Sequence, residues 1–421
     1  MMDDITIKAR NALEREISFT PKEALDFLSK KQNFRFMSNG IKRELVRLGK
    51  TGDDDALLKE FQALMNSKGF LSSKGTSEVQ WFTDNALPTK SSAIKICFAF
   101  GLSSKNKPTA LEFLWNVCRI NGLNYRIAED VAYHYALERG ETYEYANALI
   151  EEYEKVTAGD DFESGDETKG TSTMWETFEN LAVMKRDEFL ETLCDNKKNF
   201  IQYNKTAHNE FVEIYNELVD LIAEDIKFSQ IASMAAGLDV YQPRDGRRAE
   251  VHAEIVYEGF IRALIGDKEF EYMNVPAIKN GTVISDIMKH FPQQGHMDLM
   301  SSERPRPHCK TTDLGNGYAR KTFILCFFAN YVLKHVKNWK RADAGAPKKF
   351  YDDFYISLEL MLHRCSYGLL YPANPFDWHI LNCIRYLDSG DDPFAEKDAI
   401  ALFNETLVYL ADGDVVMPEI F

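Results

Sequence analysis

Apolar residues return every three or four positions through most of this chain, in segments such as KEALDFLSKKQNF, ALLKEFQALMNSKG, TALEFLWNVCRI, TYEYANALIEEYEK and AEVHAEIVYEGFIRALIG. That spacing lays one apolar stripe along a helix and predicts amphipathic helices in both halves. Several segments close on Gly after a charged last turn, as helices commonly stop. Alternating runs joined by Asn-Gly or Asp-Gly do not occur, so the pattern predicts an all-α fold in which any sheet is minor. The stretch Thr157 to Thr173, TAGDDFESGDETKGTST, is acidic and rich in Gly, Ser and Thr. It reads as a flexible linker between an N-terminal helical domain, residues 1–156, and a C-terminal one, residues 174–421.

The two halves share a faint internal correspondence. The 27 residues from Leu111 align without gaps on those from Leu358, with Leu111/Leu358, Glu112/Glu359, Cys118/Cys365, Leu123/Leu370 and Asp130/Asp377 identical. That is about three times the chance level at ordinary residue frequencies. A further apolar segment precedes each copy, around Cys97 and Cys326, which predicts a three-helix module used twice. In NPFDW, Asn374 suits the N-cap, Pro375 the first helical position and Asp377 the third, where a carboxylate meets free backbone amides. Asp130 keeps the third position in the first copy, so both aspartates are expected to be structural.

Composition narrows the class. The chain has 421 residues, 45% hydrophobic and 12% aromatic, enough for a large buried core and too apolar for a disordered protein. The N-terminus carries acids and no apolar leader, and the longest apolar run, Phe323 to Leu333, is about half the roughly 20 residues a bilayer span needs. Seven cysteines occur without a CxxC pair, and five of them (Cys97, Cys118, Cys326, Cys365, Cys383) fall in apolar-periodic segments. Buried reduced thiols, a cytoplasmic location and no membrane contact are expected.

The net charge of −15 excludes a uniformly basic nucleic-acid coat. Its distribution is more informative. Residues 280–349 hold twelve Lys or Arg against five Asp or Glu, whereas residues 350–421 hold three against thirteen. The basic region offers Arg304, Arg306, Lys310, Arg320, Lys321, Lys337, Lys340 and Arg341 as phosphate contacts, with Tyr318 and Trp339 able to stack on bases. An acidic protein, or the acidic C-terminal segment of the same chain, is the competing partner. A smaller basic set, Lys30, Lys31, Arg35, Lys42, Arg43, Arg47 and Lys50, lies near the N-terminus.

Catalytic patterns are few. GxxxxGK[ST], GxGxxG, HExxH and GxSxG do not occur. His290, His296, His308 and Cys309 match no zinc spacing, so no metal or cofactor is expected. His134, His363 and His379 lie on helical segments and read as interfacial residues. The segments ARKTFILCFFANY, GLLYPANPFDW and FAFGL…EFLWNV…EDVAYHYAL resemble a group of uncharacterised all-helical proteins from Clostridia-type bacterial genomes, a resemblance that implies no activity. Arg247 and His252, in RDGRRAEVHAEI, are similar in spacing to the Arg-x4-His motif of HEPN ribonucleases, which are frequent in bacterial defence and toxin systems. That resemblance implies phosphate stabilisation by Arg247 and proton transfer at the ribose 2′-hydroxyl by His252.

The leading expectation is therefore a non-catalytic binding or regulatory protein that contacts DNA, RNA or an acidic protein through residues 280–349. The alternatives are a HEPN-type ribonuclease in a defence or mobile-element setting and a helical scaffold for a neighbouring enzyme.

Overall fold

A computed structural model describes residues 4–14, 21–106, 108–120, 123–157, 171–178, 180–200, 207, 209–211, 213–214, 217–218, 320–339, 350–365 and 367–388. Among these residues the fold is all helical, with no strand. The α-helices are α1 Asp4–Leu13, α2 Pro21–Ser29, α3 Met37–Arg47, α4 Asp54–Ser67, α5 Thr76–Phe82, α6 Lys90–Phe100 and α7 Ala110–Asn116. They continue as α8 Ala128–Arg139, α9 Tyr143–Thr157, α10 Thr171–Thr177, α11 Arg186–Asp195, α12 Arg320–Trp339, α13 Phe350–Arg364 and α14 Pro375–Asp388. No helix among the described residues is long and apolar enough to cross a membrane.

Local sequence sets the helix ends. The Asp53 carboxylate accepts from Ala56 N at 2.9 Å, and Thr109 and Glu112 form a reciprocal capping box at the start of α7. Asn374 caps α14 as its sequence predicts, its Oδ1 accepting from Phe376 N at 3.0 Å. Gly101 and Gly140 close α6 and α8 in the left-handed region, where a side chain would be strained.

Three apolar cores result. The first joins α1, α2, Phe34 and Phe36 to α12, α13 and α14. Trp378 of α14 lies at its centre, stacked on Phe27 at 4.6 Å, edge-on to Phe34, and donating Nε1–H to Ala9 O at 3.1 Å. The second core is built mainly from α3 to α7, and α7 buries Phe113 and Leu114 in it. The third packs one face of α8 and part of α9 against α10 and α11 through Tyr135, Leu149, Met174, Phe178 and Phe189. Because α8 serves two cores, it is buried almost all round, Asp130, His134 and Glu138 included.

These cores do not divide where the acidic stretch predicts. Helices α1 and α2, expected in the N-terminal domain, share a core with α12 to α14. On either side of the stretch, Leu149 and Met174 share the third core. Thr157 ends α9 and Thr171 to Thr173 begin α10, while 158–170 lie outside the described residues. A polar stretch marks a surface connection, and its composition carries no information about whether its flanks pack together. The described cysteines form no disulfide, and the five expected in the core are buried there.

Candidate functional site

The basic region is described only in part. Arg304, Arg306, Lys310, Lys340 and Arg341 lie outside the described residues, as do Arg247, His252 and the His290 to Cys309 group. Lys337 falls within α12, but its side chain is not among those described. Arg320, the first residue of α12, is turned inward. Its Nη1 and Nη2 donate to the two Asp377 oxygens at 2.8 and 2.7 Å, its Nε to Gly368 O at 2.7 Å, and its Nη2 also to Leu369 O at 2.9 Å. Bidentate geometry and a fully buried partner make Arg320 a fold-internal lock in place of the expected phosphate contact. Lys321 Nζ sits 5.2 Å over the Phe376 ring, and Lys334 pairs with Glu217 at 2.7 Å.

Asp130 is held in the same manner as Asp377. It is buried at the third position of α8, accepts from Asn124 N at 2.7 Å and pairs with Lys90, the first residue of α6. Asp377 accepts from Tyr371 N at 2.9 Å, again six residues back. Both aspartates are structural, as their capping positions imply. The N-terminal basic set is similarly engaged: Lys30 with Asp26, Lys31 with Asp84, Lys42 with Asp54, Arg47 with Glu44 and Lys50 with Glu60.

A polar relay occupies the buried side of α8. Tyr125 Oη meets His134 Nδ1, His134 Nε2 lies 3.3 Å from Glu138 Oε1, and Glu138 accepts from both Ser104 N and Ser104 Oγ. Burial works against the Glu138 charge, but hydrogen bonds from His134 and Ser104 hold its carboxyl below the usual carboxylate range. The order of groups matters. The Ser104 hydroxyl donates to the carboxylate and not to the imidazole, so this chain ties the α6–α7 loop to α8 and activates no nucleophile. No cluster of three or more His, Cys, Asp or Glu suited to a metal occurs among the described residues.

Among the described residues, two with unpartnered buried polar atoms, Glu44 and Trp115, line a cleft of about 760 Å³ where the first and second cores meet. One wall comes from α1 (Thr6, Arg10, Glu14), and Arg35 and α3 (Gly40, Arg43, Glu44) form a second. Pro108 and α7 (Glu112, Trp115, Asn116) form a third, and α13 (Tyr351, Asp352, Tyr355, Ile356, Glu359) with residues 369–372 completes the enclosure. Two glycines let the walls close: a Cβ at Gly40 would come within 2.3 Å of Val117, and one at Gly368 within 2.9 Å of the Trp115 ring.

Glu44 lines this cleft and is fully buried. Its Oε2 accepts from Arg47 Nε at 2.6 Å, and its Oε1 has no partner. Burial pushes the Glu44 carboxyl up, against the pull of Arg47, Arg43 and Arg35. The Trp115 indole N–H is likewise buried without an acceptor. Across the cleft, Glu359 accepts from Leu370 N at 2.6 Å and is also pushed up by burial, opposed by the Leu370 N–H and the Arg320 charge. Tyr351 and Tyr355 stack at 6.2 Å along α13, and burial raises both phenols. Thr6 Oγ1 and Tyr371 Oη meet at 2.8 Å, and Arg10 pairs with Glu14 at 2.6 Å.

Sequence reasoning passes over this cleft because its walls come from four separated stretches and no local motif marks them. No protein-family model, curated protein or solved structure matches this chain. The cleft's own chemistry therefore carries the functional reading.

Proposed function

We propose that this is a non-catalytic binding protein whose ligand site is the cleft between α1, α3, α7 and α13. The observation that carries the reading is the fully buried Glu44, a residue lining the cleft whose Oε1 has no partner. Such an atom forfeits about 1–3 kcal/mol or more unless something donates to it, so natural folds rarely keep one without a use. The cleft volume falls within the range of about 300–1,000 Å³ that small-molecule sites occupy. The absence of disulfides among the described cysteines suits a reducing compartment such as the cytoplasm.

The test is native mass spectrometry of the full chain incubated with a small-molecule extract. Ile356, exposed on α13 at the cleft, provides a blocking variant, Ile356→Trp. A discrete mass increment in the wild type that the variant loses is the expected result. Equal increments in both proteins, or none in either, would overturn the reading.

A second reading is favoured by the charge partition: nucleic-acid contact through residues 280–349, with twelve cations against five acids. Because Arg320 holds Asp377, the substitutions that test it are Arg304→Ala, Arg306→Ala, Lys310→Ala and Arg341→Ala. Binding to generic DNA and RNA at low salt that weakens on combining these changes supports contact; affinity unchanged by all four sinks it.

A further inference from the structure

We infer that the protein is built as two bodies hinged at Phe34 to Met37, and that Asp84 and Arg119 latch this hinge and so set how far the cleft stands open. The hinge needs no ligand to operate, so it stands or falls apart from the binding reading above.

Core membership defines the bodies. Helices α8 and α9 contribute to both the second and the third core and join them into one body. Among the described residues, no helix contributes both to the first core and to either of the others. The cleft divides in the same way: α1, α13 and residues 369–372 belong to the first body, Pro108, α3 and α7 to the second, and Arg35 lies between them. Phe34 and Phe36 sit in the first core, and Met37, the next residue, sits in the second. The backbone of both phenylalanines is extended, so this crossover is a short strap leading into α3. A few element-terminal residues of this kind can absorb the φ/ψ change of a rigid-body rotation.

Arg35 is tied to both bodies. Its N–H donates to Ala373 O of the first at 2.8 Å, and its carbonyl accepts from Arg119 Nη2 of the second at 2.6 Å. Asp84, also of the second body, accepts from Ser38 N at 2.7 Å and Ser38 Oγ at 2.6 Å and pairs with Lys31 Nζ at 2.8 Å. One buried carboxylate therefore grips the strap on both sides of Arg35. Among the described residues, three other than glycine adopt positive φ, and two of them are these clamps, Asp84 at 59° and Arg119 at 57°. Side chains rarely tolerate that conformation, which persists where the surroundings over-determine it. Other contacts between the bodies include Trp115 against Gly368, which has no side chain to interlock, and Trp175, whose ring lies 6.3 Å from that of the exposed His363. Turning the first body about Arg35 swings α1 and α13 relative to α3 and α7, which changes the cleft opening without unpacking a core.

The experiment is pulsed electron paramagnetic resonance on the full chain with spin-label pairs, in a Cys194→Ser, Cys309→Ser background that leaves only the five buried thiols. Val46→Cys with Ile356→Cys and Lys105→Cys with Ile356→Cys span the two bodies, while Val46→Cys with Val79→Cys lies within the second; all four positions are exposed. The latch variants are Arg119→Gly, which accepts the left-handed backbone and removes the guanidinium, and Asp84→Asn, which keeps the side-chain volume and removes the charge that holds Lys31. Each is expected to broaden both spanning distance distributions at least about twofold and to leave the Val46–Val79 distribution unchanged. If Arg119→Gly does not fold, Asp84→Asn carries the test. Spanning distributions as narrow in the variants as in the parent overturn the hinge. A Val46–Val79 distribution that broadens alongside them overturns it too, because Asp84 and Arg119 would then be holding the second core together.

Discussion

Asp377 shows how strongly one residue can depend on a distant one. Its carboxylate is fully buried and takes two bonds from Arg320, 57 residues away in sequence, and one from Tyr371 N. Arg320→Ala would strand that charge, and removal of one partner of a buried pair costs about 3–5 kcal/mol. Urea unfolding at neutral pH should show a loss of that size, whereas Lys334→Ala, which breaks the half-exposed pair with Glu217, should shift stability by less than about 1 kcal/mol. The capping half of the arrangement is legible in the sequence, because Asn374, Pro375 and Asp377 are neighbours with known positional preferences. The Arg320 half is not, since a run of cations looks the same whether it faces solvent or a buried aspartate. Titration separates the carboxylates further. Glu138 is held low, so its stabilisation is present at neutral pH and is lost as pH falls through its folded value. Glu44 and Glu359 are held high, so ionising them opposes folding and stability declines as pH rises from the ordinary carboxylate value through theirs. Unfolding midpoints between about pH 3 and 8 should show a flatter acid limb in Glu138→Gln and a smaller decline toward neutral pH in Glu44→Gln.

Individual helices follow their apolar period closely, and this is where the sequence is most informative. Their ends follow from caps such as Asp53 and Thr109 and from the left-handed Gly101 and Gly140. Periodicity does not reveal a helix that serves more than one partner. In α14 every residue from Pro375 to Ile384 is buried, although the segment reads as amphipathic, because α1 and α2 cover the face expected to meet solvent. The contact of α3 with Val117 gives a direct test at this scale. Gly40→Ala places a methyl 2.3 Å from a Val117 carbon, an overlap that should cost about 1–3 kcal/mol. Val117→Ala in the same chain should recover part of that loss; a double mutant no more stable than Gly40→Ala would show that the approach is not what requires glycine.

Across the molecule, the first and last described helices share one core, a pairing that composition could not disclose because it registers only neighbours along the chain. The aromatic cluster of Phe27, Phe34 and Trp378 forms the junction. Deleting residues 1–30 should expose Trp378, red-shifting its fluorescence and broadening the thermal transition; an emission spectrum identical to that of the full chain would show that α14 keeps its packing alone. The same deletion removes the α1 wall of the cleft, so any ligand site there should be lost with it.

The bond from Trp378 to Ala9 spans 369 positions and also orders events in time. A ribosome adding about 5–20 residues per second finishes α14 roughly 20 to 70 seconds after α1 has emerged. Throughout that interval the apolar faces of α1 and α2 lack their native cover, while the second core can assemble from α3 to α7. Those two helices are therefore the part of the first core that waits longest for its partners on a growing chain.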